Sequence, residues 1–258
     1  METLRISLIQ GPLTWEKPEA NRGYFGKQIA TLQGKTDLIL LPEMFSTGFS
    51  MRSKALAEPP NGPTRQWMQD QAQKAGSAIV GSVITKGDQN YYNRLYFVFP
   101  TGNYEVYDKH HLFTYAKEDK SYTPGGKKLI VDYKNWKICP LICFDLRFPV
   151  WARNREDYDL LLYIANWPKS RILHWDTLLR ARSIENLCYT VGVNRIGIDG
   201  NNLEYNGHSA IYDALGQKIT TSDWEKEFTE TTILKKSRLT KVRKTFPFLK
   251  EKDSFKFI

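Results

Sequence analysis

Three polar side chains in this sequence share one kind of position, the end of a strand-like segment, and together they could cleave an amide. Glu43 ends the apolar segment DLILLPE, Lys109 ends YEVYDK, and Cys143 ends KICPLIC. In α/β folds, ligands and chemistry gather outside the carboxyl ends of strands. A carboxylate, an ammonium and a thiol that meet there predict acyl transfer, because a thiolate attacks carbonyl carbons well.

The chemistry predicts a different role for each side chain. Cys143 would be the nucleophile, and the charge of Lys109 would lower the thiol pKa and stabilise the oxyanion of the tetrahedral intermediate. Glu43 would take the thiol proton, pass it to departing ammonia and then activate water. Each residue alone is weak evidence, since a buried cysteine usually packs in the core, and Cys139 and Cys188 are interpreted in that way.

Other catalytic patterns are absent from the sequence. It has no G-x-S-x-G, H-E-x-x-H, G-x-G-x-x-G or paired C-x-x-C motif. Cys139 and Cys143 are four residues apart with no histidine nearby, and the four histidines have no ligand spacing. The sequence therefore predicts neither a metal site nor a cofactor.

The elements that must position these residues alternate along the whole chain, which predicts an α/β fold with helices packed on sheets. Pro140 interrupts its segment and indicates an edge strand or a bulge. The predicted helices are Pro18–Gln33, Thr64–Ala75 and His174–Asn186. The predicted strands are Leu4–Gln10, Asp37–Pro42, Ala78–Thr85, Arg94–Phe99, Tyr104–Asp108, Trp136–Cys143, Asp159–Ala165 and Tyr189–Asn194, followed by a hairpin over Gly207–Thr220.

Length and composition limit the class of protein. A chain of 258 residues with 41% hydrophobic and 25% charged residues is typical of one globular α/β domain. The longest apolar runs are too short to span a bilayer, so no membrane association is predicted, and no secretory signal is visible. Three cysteines fit a reducing cytoplasm. The net charge of +9 is spread thinly, which favours a solvated basic surface over nucleic-acid binding.

The segments around the three polar residues resemble the nitrilase (carbon–nitrogen hydrolase) superfamily. They cover nearly the whole chain in the order of that family: LPEMFSTGF, YDKHHLF, LICFDLRFP, ANWP, HWDTLLRARSIEN, VGVNRIG and GHSAIYDALG. The resemblance implies a four-layer αββα sandwich and a catalytic triad of Glu43, Lys109 and Cys143. It further implies that Glu118 orients the substrate and the lysine, and that the backbone N–H of Phe144 is a second oxyanion donor.

Three further segments, RFPVWARN, ANWP and TFPFLKEKDSF, resemble the omega-amidase branch of that superfamily. Its members hydrolyse the distal amide of alpha-ketoglutaramate or alpha-ketosuccinamate. Val150 departs from the pattern, since many relatives have Glu there. The alternative is another small-amide hydrolase, acting on deaminated glutathione or a carbamoyl amide. A binding protein on the same fold is disfavoured, because all three residues of the triad are present.

Such a substrate carries a carboxylate and a keto group far from the amide, so its site needs a cation. The sequence does not rank the candidates, and Arg147 could equally be a structural arginine held by a carboxylate. The candidate cations are Arg147, Lys117, Arg171 and Arg195. Aromatic residues near the strand ends could form an apolar wall or could be ordinary core, namely Phe45, Tyr115, Phe144 and Trp167.

We expect one hydrolase domain over residues 1–258, with a tail from about residue 245 that docks on the body or on a partner subunit. The helix over His174–Asn186 carries an apolar set at helical spacing. The tail is too apolar to lie free in water, with Phe246, Phe248, Leu249, Phe255, Phe257 and Ile258. The resemblance implies a homodimer, and we expect this helix and the tail to form its contact.

Overall fold

The computed structural model describes residues 2–256, in which thirteen strands form three sheets. In chain order the strands are β1 Thr3–Gln10, β2 Leu38–Leu40, β3 Ala78–Lys86, β4 Tyr91–Val98, β5 Tyr104–Asp108, β6 Val131–Tyr133, β7 Trp136–Ile142, β8 Leu160–Ile164, β9 Tyr189–Val193, β10 Ile196–Ile198, β11 Glu204–Asn206, β12 Ala210–Tyr212 and β13 Phe228–Lys235.

The described residues also contain six α-helices. Helices α1 and α3 each begin at a proline, whose fixed φ suits the first turn, and Gly76 ends α3 with a φ of 65°. The helices are α1 Pro18–Ala30, α2 Ser53–Leu56, α3 Pro63–Ala75, α4 Pro149–Ala152, α5 Ile172–Glu185 and α6 Lys236–Thr245.

The first large sheet has the order β13-β1-β2-β3-β4-β5 and the second has the order β12-β9-β8-β7-β6, while β10 and β11 form a separate hairpin. In the first sheet β2 is parallel to β1 and β3, and two antiparallel pairings then return β5 to the direction of β2. The carboxyl ends of β2 and β5 therefore lie at the same edge. In the second sheet β7, β8 and β9 are parallel.

Alternation along the central strands produces two separate cores. Leu38 and Leu40 pack in the cluster shared by the two sheets, whereas Ile39 and Leu41 pack in the cluster that includes α1 and α3. Successive strand residues point to opposite faces, so a fully apolar strand serves both cores. On the far side of the second sheet, α5 lies close to β9, where a Cβ on Gly192 would clash with Leu179 and Trp175. The layers are therefore helix, sheet, sheet, helix.

The predicted helices and the eight predicted strands are present, with ends shifted by a few residues. The hairpin predicted over Gly207–Thr220 is reduced to β12 and a single bridge between Tyr212 and Lys218. Strand β7 is internal, yet β6 reaches only Ile138, so no described strand faces Pro140 on that side. The missing N–H of Pro140 therefore costs no ladder hydrogen bond there. The sequence analysis did not anticipate β6, the hairpin of β10 and β11, β13 or α6, because these segments are short or mainly polar.

The tail lies against its own body over the residues that the structure describes. The guanidinium of Arg155 donates to the backbone oxygen of Phe255 at 2.7 Å and stacks over its ring at 4.6 Å. Phe248, in contrast, remains 63% exposed. Phe257 and Ile258, which belong to the predicted contact, lie outside the described residues. None of the helices within residues 2–256 combines the length and apolar character needed to cross a membrane.

Candidate active site

Glu43 follows β2 and is fully buried at the edge where the first sheet meets the second. Its Oε1 accepts hydrogen bonds from the Lys109 ammonium and from the Asn93 side-chain amide, each at 2.8 Å. Its Oε2 accepts the backbone N–H of Asn166 at 2.9 Å. A carboxylate held by three donors has a fixed orientation, as a positioned acid or base requires.

Lys109 follows β5 and is 1% exposed. Its Nζ lies 2.9 Å and 3.0 Å from the two carboxylate oxygens of Glu118, in addition to its contact with Glu43. Burial alone would lower the pKa of this ammonium, but the charges of Glu118 and Glu43 outweigh burial and raise the pKa. Lys109 is therefore a permanent cation between two carboxylates.

Glu118 opens a short 3₁₀ turn, Glu118–Lys120, and is also fully buried. The residue before it, Lys117, has a φ of 58°, which turns the chain so that the Glu118 side chain enters the site. Its Oε2 accepts the backbone N–H of Phe113 at 2.5 Å. Burial raises the pKa of Glu118, Lys109 opposes that rise, and the nearby Glu43 adds to it.

Cys143 follows β7 and begins the 3₁₀ turn Cys143–Arg147 with a φ of 43°. Such a φ is rare for a residue with a Cβ and marks a strained turn of the kind found at active sites. The Sγ atom lies 3.9 Å from the backbone oxygen of Asn166, and Cys143 lines a pocket at this edge of the sheets.

The thiol pKa of Cys143 differs from the sequence-based expectation. Burial and the negative charge of Glu43 raise that pKa well above the ordinary value, and the opposing effect of Lys109 does not compensate. The expectation that Lys109 would lower the pKa of the thiol is therefore wrong in its net direction. The reason is that burial of the thiol, together with the negative charges of Glu43 and Glu118, outweighs the opposing charge of Lys109.

Asp145 joins the Cys143 turn to the loop after Lys109. Its carboxylate accepts the Tyr107 hydroxyl at 2.7 Å, the backbone N–H of Ile142 at 3.0 Å, and the backbone N–H of His111 at 3.0 Å. The His111 ring nitrogen Nδ1 lies 2.8 Å from the same carboxylate. These contacts give Asp145 a structural role, because they fasten the two segments to each other.

Two asparagines that the sequence analysis missed complete the network. Asn93, on β4, donates to Glu43 and, at 3.3 Å, to Glu118, so one amide group contacts both carboxylates. Asn166 donates its backbone N–H and its side-chain amide to Glu43. Asn166 belongs to ANWP, one of the segments that carry the family resemblance, so it could have been predicted as a site residue. Asn93 lies in none of those segments, and nothing in the sequence marked it.

Cys143 and Lys109 line a pocket of about 280 Å³. Among the predicted substrate contacts, Arg147, Trp167 and Phe144 also line it. Arg171 lines the pocket as well. Phe113, Asp199 and Tyr205 form further parts of the wall.

The structure places the other two predicted aromatic contacts elsewhere. Phe45 is fully buried in the core between the first sheet and its helices, with its ring 5.7 Å from those of Phe25 and Trp67. The chain turns between Glu43 and Phe45, where Met44 has a φ of 42°, so the two side chains point to different sides. Tyr115 is 86% exposed and is not part of the pocket wall, and Phe113, whose ring is 5.7 Å away, takes that place.

Two of the candidate cations also lie outside the pocket wall. Lys117 is exposed at the end of its turn. Arg195 is buried, and it donates to the backbone oxygens of Leu13, Ile196 and Ile198. Within residues 2–256, no group of three or more His, Cys, Asp or Glu side chains could hold a metal ion.

Comparison with known proteins identifies the class to which this fold and site belong. The family model for carbon-nitrogen hydrolases matches residues 5–244. The chain therefore belongs to the carbon–nitrogen hydrolase family, and its fold is the predicted nitrilase-type sandwich.

Particular relatives are similar over almost the full length. The chain is 41% identical to the omega-amidase YafV of Escherichia coli (strain K12) over 99% of both chains. It is 31% identical to the 2-oxoglutaramate amidase of Bacillus subtilis (strain 168), over 88% of this chain and 90% of that one. The crystal structure of XC1258 from Xanthomonas campestris, which has an arsenic adduct in its active site, superposes with a TM-score of 0.97 at 44% identity and full coverage of both chains.

Proposed function

We propose that this chain is an omega-amidase, which hydrolyses the distal amide of alpha-ketoglutaramate or alpha-ketosuccinamate to the dicarboxylic keto acid and ammonia. The observation that carries the proposal is the buried network of Glu43, Lys109 and Glu118 beside the Cys143 thiol on the pocket wall. The omega-amidase and 2-oxoglutaramate amidase names of full-length relatives support the choice of substrate.

In the first half of the proposed reaction, Glu43 accepts the thiol proton while the sulfur of Cys143 bonds to the amide carbon. Because the thiol is protonated at rest, proton transfer and attack are coupled. The charge of Lys109 and the backbone N–H of Phe144 stabilise the oxyanion. Glu43 then returns the proton to the amide nitrogen, the C–N bond breaks, and ammonia leaves a thioester on Cys143.

In the second half, water attacks the thioester carbon while Glu43 takes one of its protons. The C–S bond breaks, the carboxylic acid is released, and the proton from Glu43 returns to the sulfur. Glu118 supports both halves of the reaction, because its two carboxylate oxygens hold the ammonium of Lys109 in one position. All atoms and protons are accounted for without a cofactor.

Ammonia release from a panel of small amides tests the proposal. We expect alpha-ketoglutaramate and alpha-ketosuccinamate to have a higher kcat/KM than deaminated glutathione or a carbamoyl amide. Cys143→Ala should abolish turnover, and mass spectrometry of the wild type with substrate should find the acyl adduct on Cys143. Cys139→Ala serves as the matched control, because Cys139 is fully buried in the core. A higher kcat/KM for another amide would show that the proposed substrate is wrong. An adduct on a different cysteine would refute the mechanism.

Three properties of the whole protein are part of the proposal. One domain includes all the elements, and two copies associate through α5 and the tail. Exposed apolar side chains on these segments support the dimer, among them Leu173 at 72%, Ile184 at 49% and Phe248 at 63%. A cytoplasmic location is supported by the three cysteines, which are all unpaired thiols.

A further inference from the structure

Two arginines line the pocket that contains Cys143. Arg147 ends the turn that begins at the nucleophile, and Arg171 ends the short 3₁₀ turn Lys169–Arg171 before α5. The guanidinium of Arg147 lies 5.0 Å from the ring centre of Trp167, and that of Arg171 lies 5.1 Å from the ring centre of Phe113. Stacking on aromatic rings fixes a guanidinium plane and leaves its N–H edge free to bind.

Neither arginine forms an ion pair with a carboxylate among the described residues. Within residues 2–256, the one side-chain hydrogen bond of Arg147 joins its Nη2 to Nδ1 of His174 at 2.8 Å. Both guanidinium groups line the same pocket, and burial and the charge of Arg171 lower the pKa of Arg147. Bringing like charges together costs free energy that an anion between them would recover.

The acidic groups nearby are already engaged. Asp199 also lines the pocket, but its Oδ1 accepts the backbone N–H groups of Asn201 and Leu203, and its Oδ2 accepts the Tyr205 hydroxyl. Glu204 is paired with Lys169 at 2.7 Å. The interpretation of Arg147 as a structural arginine held by a carboxylate therefore lacks its partner within residues 2–256.

We propose that Arg147 and Arg171 together form the subsite for the substrate carboxylate, so that the pocket selects small amides that carry an anionic end. Arginine suits this task, because its planar edge binds a carboxylate through two parallel hydrogen bonds. The inference rests on the proposed function, since it identifies what binds the end of the substrate remote from the amide.

The test compares two substrates of equal length, alpha-ketoglutaramate and the uncharged pentanamide. For each enzyme we take the ratio of kcat/KM for the anionic amide to kcat/KM for the neutral amide. Loss of a charged hydrogen bond weakens binding by about one to two orders of magnitude. Arg147→Gln and Arg171→Gln should therefore each lower this ratio about 10- to 100-fold, mainly through the KM for the anion. Arg147→Lys, which keeps the charge, should lose less of the ratio than Arg147→Gln.

A binding measurement separates this inference from the proposed reaction. Glutarate, which has a carboxylate at each end, should bind the inactive Cys143→Ala protein, and adding Arg171→Gln should weaken its calorimetric Kd about 10- to 100-fold. The matched control is Arg180→Gln, because Arg180 is an exposed arginine of α5 that stacks on Tyr212. Circular dichroism checks that each variant is folded.

The outcomes separate the two ideas. Hydrolysis of alpha-ketoglutaramate with an unchanged substrate ratio in both glutamine variants would overturn the arginine subsite and leave the omega-amidase proposal standing. Failure of the wild type to hydrolyse either keto amide would refute the omega-amidase proposal. Arginine-dependent glutarate binding would still support the anion subsite in that case.

Discussion

At the scale of single residues, the site keeps its nucleophile protonated. Cys143 lies in a buried network that already contains two carboxylates and one ammonium, so ionisation of the thiol would add a second net negative charge. A neutral thiol beside a positioned carboxylate is poised for coupled proton transfer. Sequence reasoning predicted the lysine and both carboxylates, but it could not predict how deeply the thiol is buried, and burial is the largest cause of its raised pKa.

Alkylation by iodoacetamide tests the protonation state of Cys143. In the wild type we expect the rate of modification at Cys143 to keep rising with pH beyond about 8.5, the ordinary thiol pKa, without a plateau. In Glu43→Gln the rise should begin at lower pH, because the charge and the hydrogen-bond acceptor that raise the pKa are gone. Glu225→Gln, an exposed glutamate on the surface, is the control. A wild-type plateau below pH 8.5 would contradict this account.

Lys109 offers a second test at this scale, since it is the only cation in direct contact with Glu43 among the described residues. Lys109→Ala removes the charge that faces the oxyanion, and loss of one such donor typically lowers the rate about 10²–10³-fold. The same change leaves two buried carboxylates without a counter-charge, so the variant should also be less stable to urea. Steady-state ammonia release and urea unfolding measure the two effects, and near-normal turnover would refute the role of Lys109.

At the scale of elements, the site depends on how two turns are fastened to each other. The Cys143 turn belongs to the second sheet and the loop after Lys109 belongs to the first, and Asp145 bonds to both. Helix α5 adds a third support, because Arg182 donates to the backbone oxygen of Leu146 at 2.6 Å. The distance between nucleophile and lysine therefore depends on contacts between turns as well as on the strands themselves.

Replacing Asp145 tests that coupling. Asp145→Asn keeps the shape but turns one acceptor oxygen into a donor, so the contacts to Tyr107, Ile142 and His111 cannot all be satisfied. We expect a loss of about 1–3 kcal/mol in the free energy of unfolding and a lower kcat. Asp132→Asn, at the one exposed position of β6, is the control. Tyr107→Phe, which removes a single hydrogen bond of the cluster, should have a smaller effect on both quantities.

The elements also show what sequence patterns could and could not reveal. The apolar runs that end in Glu43 and Cys143 predicted their strands, because a strand buried on both faces is a near-continuous hydrophobic run. The strand before Lys109 is mostly exposed and lacks that signal. Phe45 and Phe113 were harder, since the direction of a side chain beyond a strand depends on the turn, and Met44 between Glu43 and Phe45 has a φ of 42°. Asn93 was not predicted, because the sequence around an asparagine in a strand does not distinguish a site residue from a structural one.

At the scale of the whole molecule, the tail decides how the proposed dimer is tested. Its described part contacts Arg155 of its own chain, while Phe248 remains exposed. We expect light scattering of the full chain to give twice the 30.0 kDa chain mass, and a chain ending after Lys244 to give a smaller dimer fraction. A monomeric mass for the full chain at micromolar concentration would refute the dimer. An unchanged dimer after truncation would assign the contact to α5 alone.

The pairing of β13 with β1 has a consequence for the order of events during synthesis. These two strands are paired over eight residues, so the first sheet acquires its last edge strand only after residue 235 has left the ribosome. By then Glu43, Lys109 and Cys143 have long been translated, but the sheet that positions two of them is still incomplete. Domains generally fold as units. We therefore expect a nascent chain that ends before β13 to be inactive, which couples the onset of catalysis to near-completion of translation.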